Sequence, residues 1–489
     1  MKVQVQSVIM GYGKSTSAIS MIQSEPDNFY FVVLPYLDEV ERYKKECNKY
    51  LPKANNLIEP SDKTNAKSVD LLNKLKSRSG SVVTTHSMFE NLTENHINAI
   101  KRLPKERAEK ILVLDETIDL VKPVNSSRLS HSALQADVEN EYIVVNETTS
   151  KVQWNYLKEF CSQGAYPHHE YLKSLCDTGM LFFLDSKYVV VEVSMSFLEC
   201  FDRIIVLTYR WSSSIMANYL RINGVAWEML PLNNDRVMEV YKYIDKHLVI
   251  PDDYSIDNVS LSKNGIEKDL KTAKKLINQN IKKAKSDYDI CIEEVLYTTF
   301  KSAGGEDLVK WFNTLSIGKP SELDSLGNKK PKAFLAHNTL GTNKYQHCKL
   351  MVYGLSKHIQ PGISSFFSKH GSSIDKEAWA LSSMLQWLFR GCIRNHGSGE
   401  VMIAVILCPR MRKLAQGWLK SIRRQVQEGV IRDEEKVVEL NAKQRRTKRQ
   451  GYNRWLKANP RGERFSFAEY IEYGGPELSR QLKGLRQAA

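Results

Sequence analysis

The stretch "VQVQSVIMGYGKSTSAI" (residues 3–19) limits the fold of this chain more than any other. Residues 3 to 9 alternate and then turn apolar, which predicts a strand, and "SAISMIQ" after the glycines predicts a helix. A strand, a glycine turn and a helix open a parallel α/β unit, because parallel neighbours need a crossover. The rhythm continues with "NFYFVVLPY", "GSVVTTH", "EKILVLDETIDL" and "FDRIIVLTYRW" as buried strands, and "LDEVERYKKECNKY" as a helix. Residues 122–200 interrupt it with "YIVVNETTSKVQW" and "LFFLDSKYVVVEV", two hairpin-like stretches that predict an antiparallel insertion. After Pro251 the chain reads polar and helical to about residue 325. "KAFLAHN", "KLMVYGL" and "VMIAVIL" then predict strands, with one long helix over "DKEAWALSSMLQWLFRGCIR". The expected class is α/β: two mostly parallel sheets in tandem, residues 1–230 with the insertion and residues 231–425. A small basic helical domain is expected over 426–489.

In the nucleotide-binding reading, residues 10–16 form a phosphate cradle. The backbone of Met10, Gly11, Tyr12 and Gly13 points N–H groups at phosphates, and the following helix adds its dipole. Lys14 reaches the β- and γ-phosphates, the Ser15 hydroxyl holds Mg²⁺, and Thr16 faces the phosphates from the first helical turn. Val8 stands where the usual loop has its first glycine. The alternative is an ordinary strand-to-helix turn. "ILVLDETID" supplies the complement, with Asp115 and Glu116 at the C-terminal end of a strand, where parallel sheets bind ligands. Asp115 is then the Mg²⁺ carboxylate and Glu116 the base that orients and deprotonates water. A solvated strand end is the bland reading.

The net charge is +14, and the segment from Arg410 onward holds 20 Lys or Arg against 9 Asp or Glu. A basic segment with interleaved aromatics ("YNRWLKANPRGERFSFAEYIEY") suits a polyanion, nucleic acid first. "SFAE" offers a capping box at Ser466 and Glu469. Eight cysteines without a CxxC pair argue against a zinc ribbon. Neither a secretory signal nor an apolar run long enough to span a membrane is read, so the expected location is cytoplasmic.

"GYGKST", "LPYLDEVERY", "VVTTH", "LDETID", "VLTYR", "GTNKYQ" and "QWLFRGCIR" stand in the order of the motifs of superfamily 2 helicases. The chain resembles the DEAD/DEAH-type members encoded by tailed bacteriophages, over about residues 1–420. The resemblance implies two RecA-like domains that bind ATP and Mg²⁺ between them and a single strand of nucleic acid across their top. The implied role is a phage DNA helicase or translocase of replication or recombination, on single-stranded or forked DNA, beside other replication proteins in the host cytoplasm. Gln386, Arg390 and Arg394, spaced i, i+4 and i+8, would share one face of a helix and present arginines to the γ-phosphate. Phe389 replaces the usual glycine there, and Arg394 is the expected finger. Thr208, Tyr209 and Arg210, with Gly341, would couple nucleotide state to the polymer. Pro35, Tyr36, Thr84, Thr85, His86, Thr342 and Asn343 would touch nucleic acid. No upstream glutamine motif is read, which implies loose base selectivity. A packaging-type motor and a DNA-binding recruitment factor with a degenerate ATPase core are the alternatives.

Overall fold

The computed structural model describes residues 1–62, 66–77, 80–90, 92–103, 109–124, 129–157, 167–177, 179–300, 334–338, 344–432, 454–455 and 457–459. The expected basic helical domain over 426–489, its Ser466–Glu469 box, and Gly341, Thr342 and Asn343 lie largely or wholly outside these residues.

The strands in chain order are β1 (Lys2–Ser7), β2 (Phe29–Leu34), β3 (Leu57–Ile58), β4 (Ser81–Thr85), β5 (Lys110–Asp115), β6 (Val121–Pro123), β7 (Ile143–Val145), β8 (Val152–Trp154), β9 (Leu181–Leu184), β10 (Tyr188–Glu192), β11 (Arg203–Thr208), β12 (Trp227–Met229), β13 (Leu248–Val249), β14 (Val295–Thr298), β15 (Leu350–Tyr353) and β16 (Met402–Ile406). The protein is α/β, with two parallel sheets in tandem. The first has seven strands in the order β12-β1-β11-β5-β2-β4-β3, and the second four in the order β13-β16-β15-β14. Every pairing within these two sheets is parallel. β11 lies between β1 and β5, so the glycine loop after β1 and the carboxylates ending β5 stand one strand apart on the same sheet edge. Continuous apolar runs such as "FYFVVL" in β2 suit a sheet covered on both faces by helices, and all six residues of β2 are buried.

The insertion is antiparallel, as its alternation predicts. β7 pairs with β8, and β6-β10-β9 form a separate sheet. That sheet is not self-contained. Helix Pro361–Lys369, from the second half of the chain, packs on it: the Phe182 and Phe366 rings meet edge to face at 5.0 Å. A Cβ on Gly362 would come within 3.1 Å of Tyr188 Cβ and 3.2 Å of Val190, so only glycine lets the helix approach this closely. Ile363, Phe366 and Phe367 thus join the first-half core and tie the two halves together.

Two expectations change. β14 lies within the segment read as helical, because only "VLYT" is apolar there while the preceding helix Leu270–Asp287 carries the lysines. The long helix over 376–394 stops at Leu388, with Phe389 as its C-cap. Gly391 causes the break: a Cβ on it would meet Met402 Sδ at 2.7 Å, Met351 Sδ at 2.9 Å and the Cys348 carbonyl at 3.0 Å. The backbone drops against the second sheet at that point instead of continuing as a helix.

Candidate nucleotide site between the two sheets

Gly11 and Gly13 have φ of +88° and +100°, a left-handed conformation that L side chains rarely adopt. The loop they form opens helix Lys14–Ser24, whose Gly13 cap supplies no side-chain hydrogen bond, leaving the first N–H groups for a ligand. Lys14 is buried, and its ammonium donates to the Val8 carbonyl at 2.8 Å. Burial lowers the Lys14 pKa, and the Glu116 and Asp115 carboxylates oppose that fall. Val8 occupies the position of the missing first glycine without a left-handed backbone, and its side chain is buried against the second-half core. Met10 and Tyr12 are buried in that same core, so only their backbone faces the site. Thr16 is exposed on the first helical turn.

Ser15 Oγ donates to Asp115 Oδ2 at 2.7 Å, bringing the two expected Mg²⁺ ligands together. One hydroxyl and one carboxylate are hard oxygen donors, a set that fits Mg²⁺ completed by water and phosphate oxygens. The Tyr43 hydroxyl donates to the same Asp115 oxygen at 3.4 Å. Tyr43, which no sequence reading singled out as a site residue, is a buried position on the helix Leu37–Cys47 that follows β2. Glu116 sits at φ +81°, a strained geometry for a residue with a Cβ, and its N–H donates to the Leu207 carbonyl at 2.8 Å. Its carboxylate accepts from Gln386 Nε2 at 3.0 Å and from Thr208 Oγ1 at 3.4 Å. Burial raises the Glu116 pKa; the Lys14 ammonium pulls it down and the Asp115 charge adds to the rise.

From the second half come Gln386, on helix Lys376–Leu388, and Arg390, just past its end. Arg394 does not share their helix: it ends a short 3-10 turn, Cys392–Arg394, beyond the Gly391 break. Both arginines still reach the site. Arg390 is 4% exposed, and its Nε is buried with no hydrogen-bond partner among the described residues. Burial lowers its pKa to about 10, the Arg394 charge adds to the fall, and Glu116 is its strongest acidic neighbour. Arg394, also lowered by burial, is offset first by Glu39, a buried carboxylate ion-paired with Arg42 at 2.8 Å. The expected finger, Arg394, therefore has an acidic neighbour on the first half, while Arg390 carries the unpaired nitrogen. Phe389 replaces the usual glycine because it is buried edge-on against Trp418, with centroids 6.1 Å apart.

The end of β11 ties the halves together. Tyr209 is buried in the second-half core; its hydroxyl accepts from Trp418 Nε1 at 2.8 Å and its carbonyl from Ser382 Oγ at 3.2 Å. Arg210 follows with φ +57° and opens the turn Trp211–Ser213. Among the residues expected on nucleic acid, Pro35 and Tyr36 follow β2, and Tyr36 precedes helix Leu37–Cys47. Across the cleft, Asp38 and Lys344 pair at 3.1 Å. Thr84 is buried in β4 at 3% exposure, as are Ser81, Val82 and Val83 before it. The Thr85 hydroxyl is used as a helix cap, accepting from Met88 N at 3.4 Å. His86 starts that helix rather than ending the strand, and burial lowers its pKa against the opposing Asp115 backbone and carboxylate.

Fold and site together define an α/β protein with a phosphate-type loop, a carboxylate pair and two arginines converging between tandem parallel sheets. The chain belongs to the YonV family. It is 30% identical over 453 residues to the SPbeta prophage-derived uncharacterized protein YonV of Bacillus subtilis (strain 168), covering 86% of this chain and all of that protein. The YonV C-terminal Rossmann-like domain model matches residues 236–419. Among solved structures, Xpd4 of S. tokodaii aligns over 88% of this chain and 94% of its own, at 10% identity and TM-score 0.41. A variant of S. cerevisiae Dbp5 bound to RNA and ADP-BeF3 aligns over 86% and 83%, at 10% identity and TM-score 0.28.

Proposed function

We propose that this chain is an ATP-dependent nucleic-acid translocase of the superfamily 2 helicase type, with RecA-like domains at 1–230 and 231–425, acting on phage or prophage DNA in the host cytoplasm. The observation that carries the reading is the buried Arg390, with an unpaired nitrogen, placed opposite Lys14, Asp115 and Glu116. A triphosphate between them gives Arg390 the anion it lacks. Gly11 to Ser15 hold the phosphates through backbone N–H groups and the Lys14 ammonium, which leaves the Val8 carbonyl to do so. Ser15 and Asp115 hold Mg²⁺, which supplies neutralisation of the phosphate charge. Glu116, its position fixed by Gln386 and Thr208, orients the attacking water and takes its proton; Arg390 stabilises the charge that spreads over the transferred group. Gln386 and Tyr209 both bridge the halves, so the shape of the cleft and the state of the nucleotide are linked. The single strand meets Tyr36, Thr342 and Asn343, and the basic segment beyond residue 432 adds phosphate contacts.

The test compares ATP binding and hydrolysis in the wild type, Lys14→Ala and Glu116→Gln. Lys14→Ala should lose binding. Glu116→Gln should bind ATP as the wild type does and hydrolyse it at least about a hundredfold more slowly. Normal turnover by Glu116→Gln would remove that residue from the catalytic role.

A further inference from the structure

Two side chains from the second half lie directly on the glycine loop, and neither belongs to the arginine turn. A Cβ on Gly13 would stand 2.5 Å from Arg236 Nη2, and one on Gly11 would stand 2.5 Å from His396 Cε1 and 2.7 Å from its Nε2. The loop glycines therefore serve a second purpose besides their left-handed backbone: they admit these two groups. Arg236 makes no ion pair among the described residues; its guanidinium lies over the Tyr12 ring, 5.1 Å from the centroid. The Tyr12 hydroxyl accepts from the Asn233 N–H at 2.9 Å, and the Asn233 side chain accepts from Arg236 N at 3.0 Å. Loop, cap and guanidinium thus form one circuit. His396 packs against Tyr243 at 5.0 Å, and its Nε2 is buried without a hydrogen-bond partner among the described residues.

We propose that Arg236 and His396 bind the phosphates of the nucleotide, closing the glycine loop from the second half of the chain. The inference rests on the nucleotide reading above and adds to it a set of ligands outside the helicase-like motifs. The Arg236 guanidinium, placed over the Tyr12 ring beside the loop, offers a planar fork that matches phosphate oxygens. Arg236 is exposed beside the loop and open to an incoming anion, and a buried imidazole nitrogen such as His396 Nε2 would be expected to find a partner. Here both face backbone whose own unpaired groups are N–H donors. An anion lying between satisfies all of them at once.

The experiment titrates fluorescent N-methylanthraniloyl ATP and ADP into the full chain and into Arg236→Ala, Arg236→Gln, His396→Ala and Lys14→Ala, with thermal unfolding of each protein recorded without nucleotide. Arg236→Ala should weaken ATP binding about tenfold or more, the size expected for a charge-assisted hydrogen bond. His396→Ala should weaken it several-fold, with little change in unfolding temperature for either variant. Arg236→Gln, which keeps length and fills the same space, should lose affinity nearly as far; this carries the test if the alanine variant is destabilised. Wild-type affinity in the Arg236 and His396 variants, alongside loss in Lys14→Ala, overturns this inference and leaves the nucleotide reading intact. A wild-type chain that takes up neither nucleotide overturns both.

Discussion

The two walls of the cleft differ in how far their phosphate-facing groups satisfy themselves. On the first-half wall the ligands bond their own neighbours: Lys14 to the Val8 carbonyl, Ser15 to Asp115, and Tyr43 to Asp115. On the second-half wall Arg390 and His396 each hold a buried nitrogen with no hydrogen-bond partner among the described residues. A preformed wall facing an unsatisfied one has a direct energetic meaning. Unpaired buried donors cost about 1–3 kcal/mol each, more when charged, so the second wall gains most when an anion arrives. On the proposed reading, the ligand draws the halves together and the contacts Gln386–Glu116 and Tyr209–Trp418, which join the halves, register its presence.

Three changes test that contrast, in order of expected size. Arg390→Ala removes the unsatisfied charge and should cut ATP turnover by about a thousandfold while leaving binding within about tenfold, as arginine fingers do. An equal loss in Arg394→Ala would erase the distinction drawn between the two arginines. The second concerns pH. Because Glu116 is pushed up by burial, with Lys14 opposing, its proton is held to higher pH than in an exposed glutamate near about 4.3. A base must be ionised, so turnover should fall as pH drops through a value above that range; an acid limb at or below it would contradict the assignment. The sign for folding is the reverse: a raised folded pKa favours stability at low pH and loses that contribution as pH rises through it. The smallest effect is that of Trp418→Phe, which leaves the Tyr209 hydroxyl without its donor. It should cost about 1–2 kcal/mol in unfolding and lower the ratio of polymer-stimulated to basal hydrolysis. An unchanged ratio would take Tyr209 out of the coupling path.

The first-half wall was the more legible in the sequence, because its groups lie at strand ends and a strand end is a local property. "MGYGKST" and "LDE" needed only their own neighbours to be placed on one sheet edge. Thr84 is buried because β4 is covered on both faces, which its two threonines do not signal. The second-half wall depends on meetings between distant residues. Gly391 breaks the helix only because Met351 and Met402 wait beneath it, so the i+8 spacing of Arg394 misled. Val8, Phe389 and Tyr209 looked like departures from a helicase pattern; Val8 and Tyr209 pack from the first half into the second-half core, and Phe389 packs within the second half against Trp418. Arg236 and His396 gave no local signal at all, since nothing nearby in sequence connects them to glycines more than two hundred residues away. The missing β14 followed from its length: four apolar residues behind a lysine-rich helix carry little periodicity.

The central claim is that one nucleotide is shared by the two walls and that a polymer controls its turnover. Steady-state ATP hydrolysis by the wild type and Lys14→Ala, with no nucleic acid, single-stranded DNA, forked DNA or RNA, tests this most directly. The account predicts hydrolysis that rises with one of these polymers and vanishes in Lys14→Ala. Hydrolysis indifferent to every polymer, or unaffected by loss of Lys14, would contradict it.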